Sequence, residues 1–102
     1  MFNIAATRHF TRKITLATGE DFTARFIVLP DDEIAAHALD SREGEDAFLT
    51  AVVTGLDGVT GEEGEAIPYS RDLLTQMLGF SDIRLGLLKA YREGRAEVRT
   101  GN

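Results

Sequence analysis

The two histidines and the carboxylates are the side chains of this sequence best suited to chemistry, and their spacing does not assemble a reaction site. His9 and His37 stand apart in a chain that has no cysteine, and neither lies in an HxxxH or HxxE pattern. Zinc is bound mainly by clusters of cysteine and histidine. A nucleophile relay needs a serine or threonine beside a histidine and an orienting acid, and no local segment combines them. We therefore expect no catalytic residue, no metal ligand and no bound cofactor, and we expect His37 at the surface or its boundary.

The segment from Asp57 to Glu65 is rich in oxygen ligands and glycine, as calcium loops are, but its spacing differs. An EF-hand needs oxygen donors at positions 1, 3 and 5, glycine at 6 and glutamate at 12. Counted from Asp57, positions 3 and 5 are Val59 and Gly61, so the pattern fails. The glycines also match neither GxxxxGK[ST] nor GxGxxG, and no phosphate-binding loop is predicted.

Length and hydropathy predict one domain over residues 1–102, with 1–9 and 95–102 loosely ordered. The chain has 102 residues, of which 43% are hydrophobic, enough for a core. No apolar run approaches the roughly 18 residues of a membrane span, and residues 1–9 lack the apolar stretch of a signal peptide. These observations predict a cytoplasmic protein without a membrane partner.

Negative charge is concentrated in the middle of the chain. The formal net charge is −6, and between residues 31 and 65 eleven carboxylates accompany a single basic residue, Arg42. Such a segment repels phosphate backbones, so nucleic acid is not expected as a partner. It suits a basic protein partner, and it equally suits simple solubility, because runs of charge often form a solvated face.

Alternating apolar and polar residues predict a β-hairpin near the N-terminus. The runs 10–16 and 22–28 alternate with period two, and Arg12 is the one residue that breaks the pattern. Gly19 lies in the turn between them, where a positive φ is expected. Pro30 then ends the second strand, because it cannot donate a hydrogen bond to a neighbour.

Two helices are predicted after Pro30. The first is short, with Asp31 or Asp32 as its N-cap. The second begins near Glu45 and reaches Leu56, because its apolar residues recur with helical spacing. The residues expected to face inward are Ile34, Ala35, Ala38, Leu39, Phe48, Leu49, Val52, Val53 and Leu56.

Two more helices are predicted after residues 55–70, an acidic connector that contains several glycines. Ser70 caps the third helix and Gly79 ends it, while Ser81 caps the fourth and Gly94 ends that one. Gly86 would allow a close helix crossing. The inward positions are Leu73, Leu74, Met77, Leu78, Ile83, Leu87, Leu88 and Tyr91, and the water-facing ones are Arg84, Lys89 and Arg92. The fold class is thus α+β, an N-terminal β-hairpin followed by about four α-helices packed as a small helical domain.

The order of these segments resembles the small tail assembly chaperones encoded in the tail gene clusters of long-tailed phages and prophages, and in gene-transfer-agent-like clusters. The resemblance covers about residues 10–95, with FIVLPDDEI, FLTAVVTGL, DGVTGEEGEAIPYS, LLTQML and LGLLKAY in that order. Its most specific part is the DGV, EG and IPYS segment before a leucine-rich helix. Leu56 stands where many members carry tryptophan just before Asp-Gly, which places a smaller side chain in the same core position.

The resemblance implies a non-enzymatic role. Such chaperones transiently bind the long, largely helical tape measure protein, keep its apolar segments soluble until the tail tube forms, and are absent from the finished particle. The implied partners are the tape measure protein and the major tail protein, and a homo-oligomer stays open. Apolar stripes also form ordinary cores, but as grooves for amphipathic helices they make these residues candidate protein contacts: Phe48, Val52, Leu56, Leu74, Met77, Leu78 and Tyr91.

Two other functions fit the same sequence. A structural virion component, such as a head–tail connector or a tail-completion subunit, would use the hairpin to pair with a neighbour's sheet edge and build a ring. A small enzyme or ligand-binding domain would need a deep pocket lined by His9 or His37 and several carboxylates.

Overall fold

Backbone pairing in the N-terminal half builds the predicted hairpin and adds a third strand to it. The computed structural model describes residues 8–99. It has the predicted α+β class, with four helices beside one antiparallel sheet of strand order β1-β2-β3. The elements are β1 (His9–Thr15), β2 (Asp21–Ile27), α1 (Asp31–Ala35), α2 (Arg42–Val52), β3 (Val53–Asp57), α3 (Arg71–Leu78) and α4 (Ser81–Arg99).

The hairpin follows the predicted alternation. β1 and β2 pair in a register that places Phe10 opposite Phe26 and Ile14 opposite Phe22. Gly19 has φ +92° in the turn, a conformation that side-chain-bearing residues rarely adopt. β2 ends at Ile27, before Pro30, so the proline lies outside the ladder. The prediction of a hairpin is confirmed.

Arg12, the residue that breaks the alternation, has a structural role on the edge strand. It shares the inward parity of Phe10 and Ile14, and its guanidinium lies 3.3 Å from a carboxylate oxygen of Glu93 and 2.7 Å from one of Glu97 on α4. A long side chain can cover an apolar edge with its stem while its charged head stays in water. Arg12 therefore joins the exposed edge of the sheet to the last turns of α4.

The predicted helix to Leu56 is wrong over its last residues. α2 ends at Val52, and Val53–Asp57 forms β3 against β2. The register steps from Arg25 opposite Gly55 to Phe26 opposite Val53, so Thr54 is an extra, bulged residue. Without a bulge, residues three apart on a strand face opposite sides. Here the bulge turns both Val53 and Leu56 inward, and this spacing of three imitates helical periodicity in the sequence.

The starts of the first two helices also differ from prediction. Asp31 is already helical in α1, the N-cap position is Pro30, and no side chain caps the helix. α2 begins at Arg42 rather than near Glu45, because the Ser41 hydroxyl accepts a 3.1 Å hydrogen bond from the Gly44 N–H. Serine is a strong N-cap residue. Of the inward positions predicted for α1 and the turn after it, Ile34 is half-buried and the others, Ala35, Ala38 and Leu39, are exposed.

The last two helices are confirmed in position but not at every boundary. The Ser70 hydroxyl accepts a 3.0 Å hydrogen bond from the Leu73 N–H, and Gly79 is the C-cap of α3, as predicted. Ser81 is the first residue within α4 rather than the cap before it, and α4 continues past Gly94 to Arg99. Of the residues predicted to be loosely ordered at the two ends, His9 belongs to β1 and 95–99 belong to α4, whereas 1–7 and 100–102 lie outside the described residues.

Two glycines of α4 face β1 and not another helix. A Cβ on Gly94 would collide with the Phe10 ring, and one on Gly86 would lie 3.1 Å from the Ile14 Cγ2. The close approach predicted at Gly86 therefore exists, but its partner is the sheet. Glycine at these positions lets α4 lie close against β1.

The core lies between the inner face of the sheet and the three longer helices. Its buried hydrophobic residues are Ile14, Phe22, Ala24, Phe26, Phe48, Leu49, Val52, Val53, Leu56, Leu73, Leu74, Met77, Leu78, Leu87, Ala90 and Tyr91. The opposite face of the sheet is polar. An antiparallel sheet with one packed face and one solvated face gives this alternation.

The acidic connector is a short hairpin of its own. Thr60 and Ala66 form an isolated bridge, and the Ile67 N–H donates a 2.9 Å hydrogen bond to the Val59 carbonyl. The Tyr69 hydroxyl donates to the Val53 carbonyl at 3.1 Å. The connector is thus tied back to the end of β3.

Candidate protein-binding groove

The structure places all seven candidate contact residues in the core. Phe48, Val52, Leu56, Leu74, Met77, Leu78 and Tyr91 are each at most 8% exposed. Side chains this deeply buried offer little surface to a partner in this conformation, so the apolar stripes of α2 and α3 mainly pack the domain itself. The accessible apolar surface lies beside them.

An open groove of about 380 Å³ runs along α4 on the side away from the sheet. Three elements border it: α1 with the turn that follows it, α2 between Glu45 and Phe48, and α4 between Leu85 and Arg95. Leu85 is 56% exposed and Leu39 is 39% exposed, so water reaches both rims. The residues that line the groove are Ile34, Leu39, Glu45, Phe48, Leu85, Leu88, Tyr91, Arg92 and Arg95.

The floor of the groove is the outer surface of the aromatic core. Phe48 and Tyr91 contact edge to face, with ring centroids 5.0 Å apart, and Tyr91 also contacts Phe10 and Phe26. The Tyr91 hydroxyl accepts a 3.1 Å hydrogen bond from the Leu29 N–H. Burial raises the pKa of the Tyr91 phenol above its ordinary value, and the hydrogen bond from Leu29 lowers it by a smaller amount. Phe48 and Tyr91 are the two predicted contacts that take part in the groove, as its floor.

One stripe of α4 forms a wall of the groove. Leu85, Leu88, Arg92 and Arg95 follow each other at spacings of three and four, which keeps them on one side of the helix. The stripe is apolar in its first half and basic in its second. The adjacent stripe, with Leu87 and Ala90, faces the core instead.

The charged residues of the groove differ in whether they are neutralised. Glu45 is paired with Arg84 at 3.1 Å, and the Arg84 guanidinium also donates to the Leu78 carbonyl at 3.0 Å. Arg95 is paired with Asp31. Among residues 8–99, Arg92 has no ion pair. The prediction that Arg84 faces water is wrong, because it is largely covered where α2, α3 and α4 meet.

The histidines do not converge on this or any other polar site in the described chain. His9 is exposed at the start of β1, and His37 is half-buried, as predicted for a boundary residue. The His37 ring lies edge-on to Phe48 at 5.5 Å, and its Nδ1 is 3.0 Å from the Glu33 carbonyl oxygen. Within residues 8–99, no group of three or more histidine, aspartate and glutamate side chains could hold a metal ion.

Two other surface features stand apart from the groove. Phe80, at the junction of α3 and α4, is 62% exposed and does not line the groove. β1 is an outer strand of the sheet, and within the described chain it pairs with β2 alone. Thr11, Lys13 and Thr15 point to the solvated side of this strand.

Comparison with family models, with curated proteins and with solved structures found no match to this chain. None of the helices between residues 8 and 99 has the length and apolar character needed to cross a membrane.

Sequence reasoning found the apolar stripes but not which apolar residues stay open. It left Leu85 unassigned and placed Leu39 inward, and these two form the exposed rims. The available signal was that Leu85 lies outside the inward stripe of Leu87 and Tyr91, which makes it an apolar residue without an assigned partner. How far α1 covers the groove depends on tertiary packing, which one helical stripe does not reveal.

Proposed function

We propose that this protein is a non-enzymatic assembly chaperone of a phage or prophage tail, which binds helical segments of the tape measure protein in the host cytoplasm. The observation that carries the proposal is the open apolar groove beside α4. Grooves between helices accept the apolar face of an amphipathic helix. The resemblance of residues 10–95 to tail assembly chaperones supplies the identity of the partner, and the acidic surface would keep the complex soluble.

The groove suits transient binding. Its exposed apolar residues lie next to a packed core, so a partner helix can bury Leu85 and Leu39 without unfolding the chaperone. Release as the tail tube assembles requires a modest affinity. The resemblance also implies the major tail protein, which forms the tube around the tape measure protein, as a second partner.

Co-expression with the tape measure protein of the same gene cluster tests this function. We expect the wild-type protein to keep that partner in the soluble fraction, and Leu85→Asp to lose this effect. Phe80→Asp is the matched control, since Phe80 is equally exposed but lies outside the groove. If the partner is insoluble to the same extent with and without the wild-type protein, the chaperone function is wrong.

A second candidate function rests on the outer strand β1. A structural subunit, such as a head–tail connector or tail-completion protein, could pair this strand with a neighbouring subunit and form a ring. Lys13 on the exposed face and the inward Arg12 are devices that usually discourage strand pairing, which favours the groove. Mass spectrometry of purified particles separates the two functions, because a connector stays in the virion and a chaperone does not.

A further inference from the structure

The charged residues that line the groove are mostly basic, although the chain as a whole is acidic. The chain has a net charge of −6, yet two of the three charged residues lining the groove are arginines. Glu45 is neutralised by Arg84, and Arg95 is neutralised by Asp31. Among the described residues Arg92 forms no ion pair, so it is the lining residue whose charge is uncompensated, directly beside the apolar wall made by Leu85 and Leu88.

The backbone around the groove favours a helix as the occupant. Both long walls are helices, α2 and α4, whose peptide groups are already paired within each helix. A bound strand would find no open row of N–H and C=O groups there, whereas a bound helix satisfies its own backbone. An apolar stripe at spacings of three and four can then pack against Leu85, Leu88 and Leu39.

We infer that the groove selects an amphipathic α-helix of a partner protein that carries a carboxylate beside its apolar stripe, and that Arg92 determines this selectivity. The inference rests on the proposed function, because it names the chemistry of the segment that the chaperone holds. The acidic surface elsewhere suits a basic partner, but the helix that enters the groove has an acidic flank. A carboxylate placed next to apolar contacts gains an ion pair with Arg92, and a lysine at that position meets a like charge.

Two synthetic helical peptides provide the probe. They share one sequence with a leucine stripe and differ at one flanking position, which is glutamate in one and lysine in the other. Each carries a fluorophore and is titrated with the full chain while fluorescence anisotropy is recorded. We expect the glutamate peptide to bind about three- to tenfold more tightly at low ionic strength, and the difference to shrink as salt is added.

Charge-reversal variants identify the residue that gives the groove its preference for the glutamate peptide. Arg92→Glu should reverse the preference between the two peptides. Lys89→Glu is the matched control, since Lys89 is an exposed basic residue one turn earlier on α4 that does not line the groove, and it should keep the preference. Equal shifts in the two variants would show that net charge alone matters, and would overturn the role of Arg92.

Variants of the exposed apolar residues locate the groove. Leu85→Ser should weaken both peptides about tenfold or more, and Phe80→Ser should leave both unchanged. Loss of binding in Phe80→Ser with retention in Leu85→Ser would place the site elsewhere. Sedimentation equilibrium of the chain without peptide tests whether a second copy of the chain occupies the groove. A wild-type dimer that Leu85→Ser dissociates would assign the groove to that second copy and overturn the inference.

The failures of this inference and of the proposed function are distinguishable. If the wild-type protein keeps the tape measure protein soluble but binds the two peptides equally, the charge selectivity is wrong and the chaperone function stands. If the glutamate peptide is preferred while the tape measure protein stays insoluble, the groove has the stated selectivity for a different partner, and the chaperone function is wrong.

Discussion

The two sides of α4 carry similar apolar residues, but those on one side are buried and those on the other border an open groove. On one side, Leu87 and Ala90 pack against the sheet and the other helices, and Leu87 has no exposed surface. On the other side, Leu85 and Leu88 border a groove, and Leu85 is 56% exposed. Phe48 and Tyr91, which form the floor of the groove, separate the two regions.

The difference comes from what covers each side, and not from residue type. The sheet side is closed by β1, which lies so close that Gly94 has no room for a side chain against Phe10. The groove side is covered in part by α1, a helix of five residues with no buried residue and no side-chain cap. A short, weakly anchored element leaves apolar surface open. The packed sheet side therefore provides stability, and the open groove side is the one that we propose for binding.

Truncating one leucine on each side of α4 tests this comparison with the largest expected effect. Leu87→Ala should lower the free energy of unfolding by about 2–5 kcal/mol, because it leaves a cavity in the core. Leu85→Ala should change it by less than about 0.5 kcal/mol, because its side chain already meets water. Urea denaturation monitored by circular dichroism measures both. Similar losses in the two variants would show that the groove side is also packed.

A side chain added at Gly94, where α4 lies against β1, should have the next largest effect on the free energy of unfolding. Gly94→Ala gains about 1 kcal/mol of helix propensity but drives a methyl group into the Phe10 ring, so we expect a net loss of about 1–3 kcal/mol. Phe10→Leu in the same chain should recover part of that loss, and a double-mutant cycle measures the coupling. A Gly94→Ala variant more stable than the wild type would contradict the close contact.

Removing the Tyr91 hydroxyl tests how much the floor of the groove contributes to stability. Tyr91→Phe should cost about 1–2 kcal/mol, because the Leu29 N–H loses its acceptor. Burial raises the pKa of this phenol in the folded state, so its contribution is complete below the ordinary tyrosine pKa, about 10, and is lost as the pH rises through the folded value. Denaturation between pH 8 and pH 11 should show a decline in stability that is smaller in Tyr91→Phe than in the wild type. An unchanged decline would assign it to other groups.

The ion pair between Arg95 and Asp31, at the end of the groove, should contribute least to the free energy of unfolding. Asp31 is largely exposed, so Asp31→Asn should change the free energy of unfolding by about 0–1 kcal/mol, and salt should reduce the difference further. The same substitution frees Arg95, and should increase the preference of the groove for an acidic helix. Thermal denaturation at low and high salt measures the first effect. A loss above about 2 kcal/mol would show that α1 is anchored more firmly than its contacts indicate.

Local patterns in the sequence predict most of this fold. Alternation over residues 10–16 and 22–28 predicts the hairpin, and Ser70 and Gly79 mark the ends of α3, because strand parity and helix capping act over a few residues. β3 escaped prediction because the bulge at Thr54 gives Val53 and Leu56 the spacing of a helix. The extent of α4 past Gly94 escaped because that glycine is there for the contact with Phe10, not to end the helix.

The groove was less predictable than the fold. The seven candidate contacts were chosen from apolar stripes, and a stripe does not reveal whether a neighbouring element covers it. Leu85 and Leu39 stay open because α1 is short, a consequence of how residues 31–41 pack against α2 and α4. Local patterns also do not show which charges of the groove are paired. Glu45 pairs with Arg84, 39 positions away in the chain, and Arg95 pairs with Asp31, 64 positions away, whereas Arg92 has no ion pair among the described residues.

The most direct test of the binding side that we propose for α4 is a map of the surface that the partner contacts. A ¹⁵N-labelled sample of the full chain, titrated with a soluble helical segment of the tape measure protein, reports contact through changes in amide chemical shifts. We expect the largest changes at Ile34, Leu39, Leu85, Leu88 and Arg92, with little change at Thr11 and Lys13. Changes concentrated on Thr11 and Lys13, with the groove residues unaffected, would show that the edge strand is the binding site and would contradict this account.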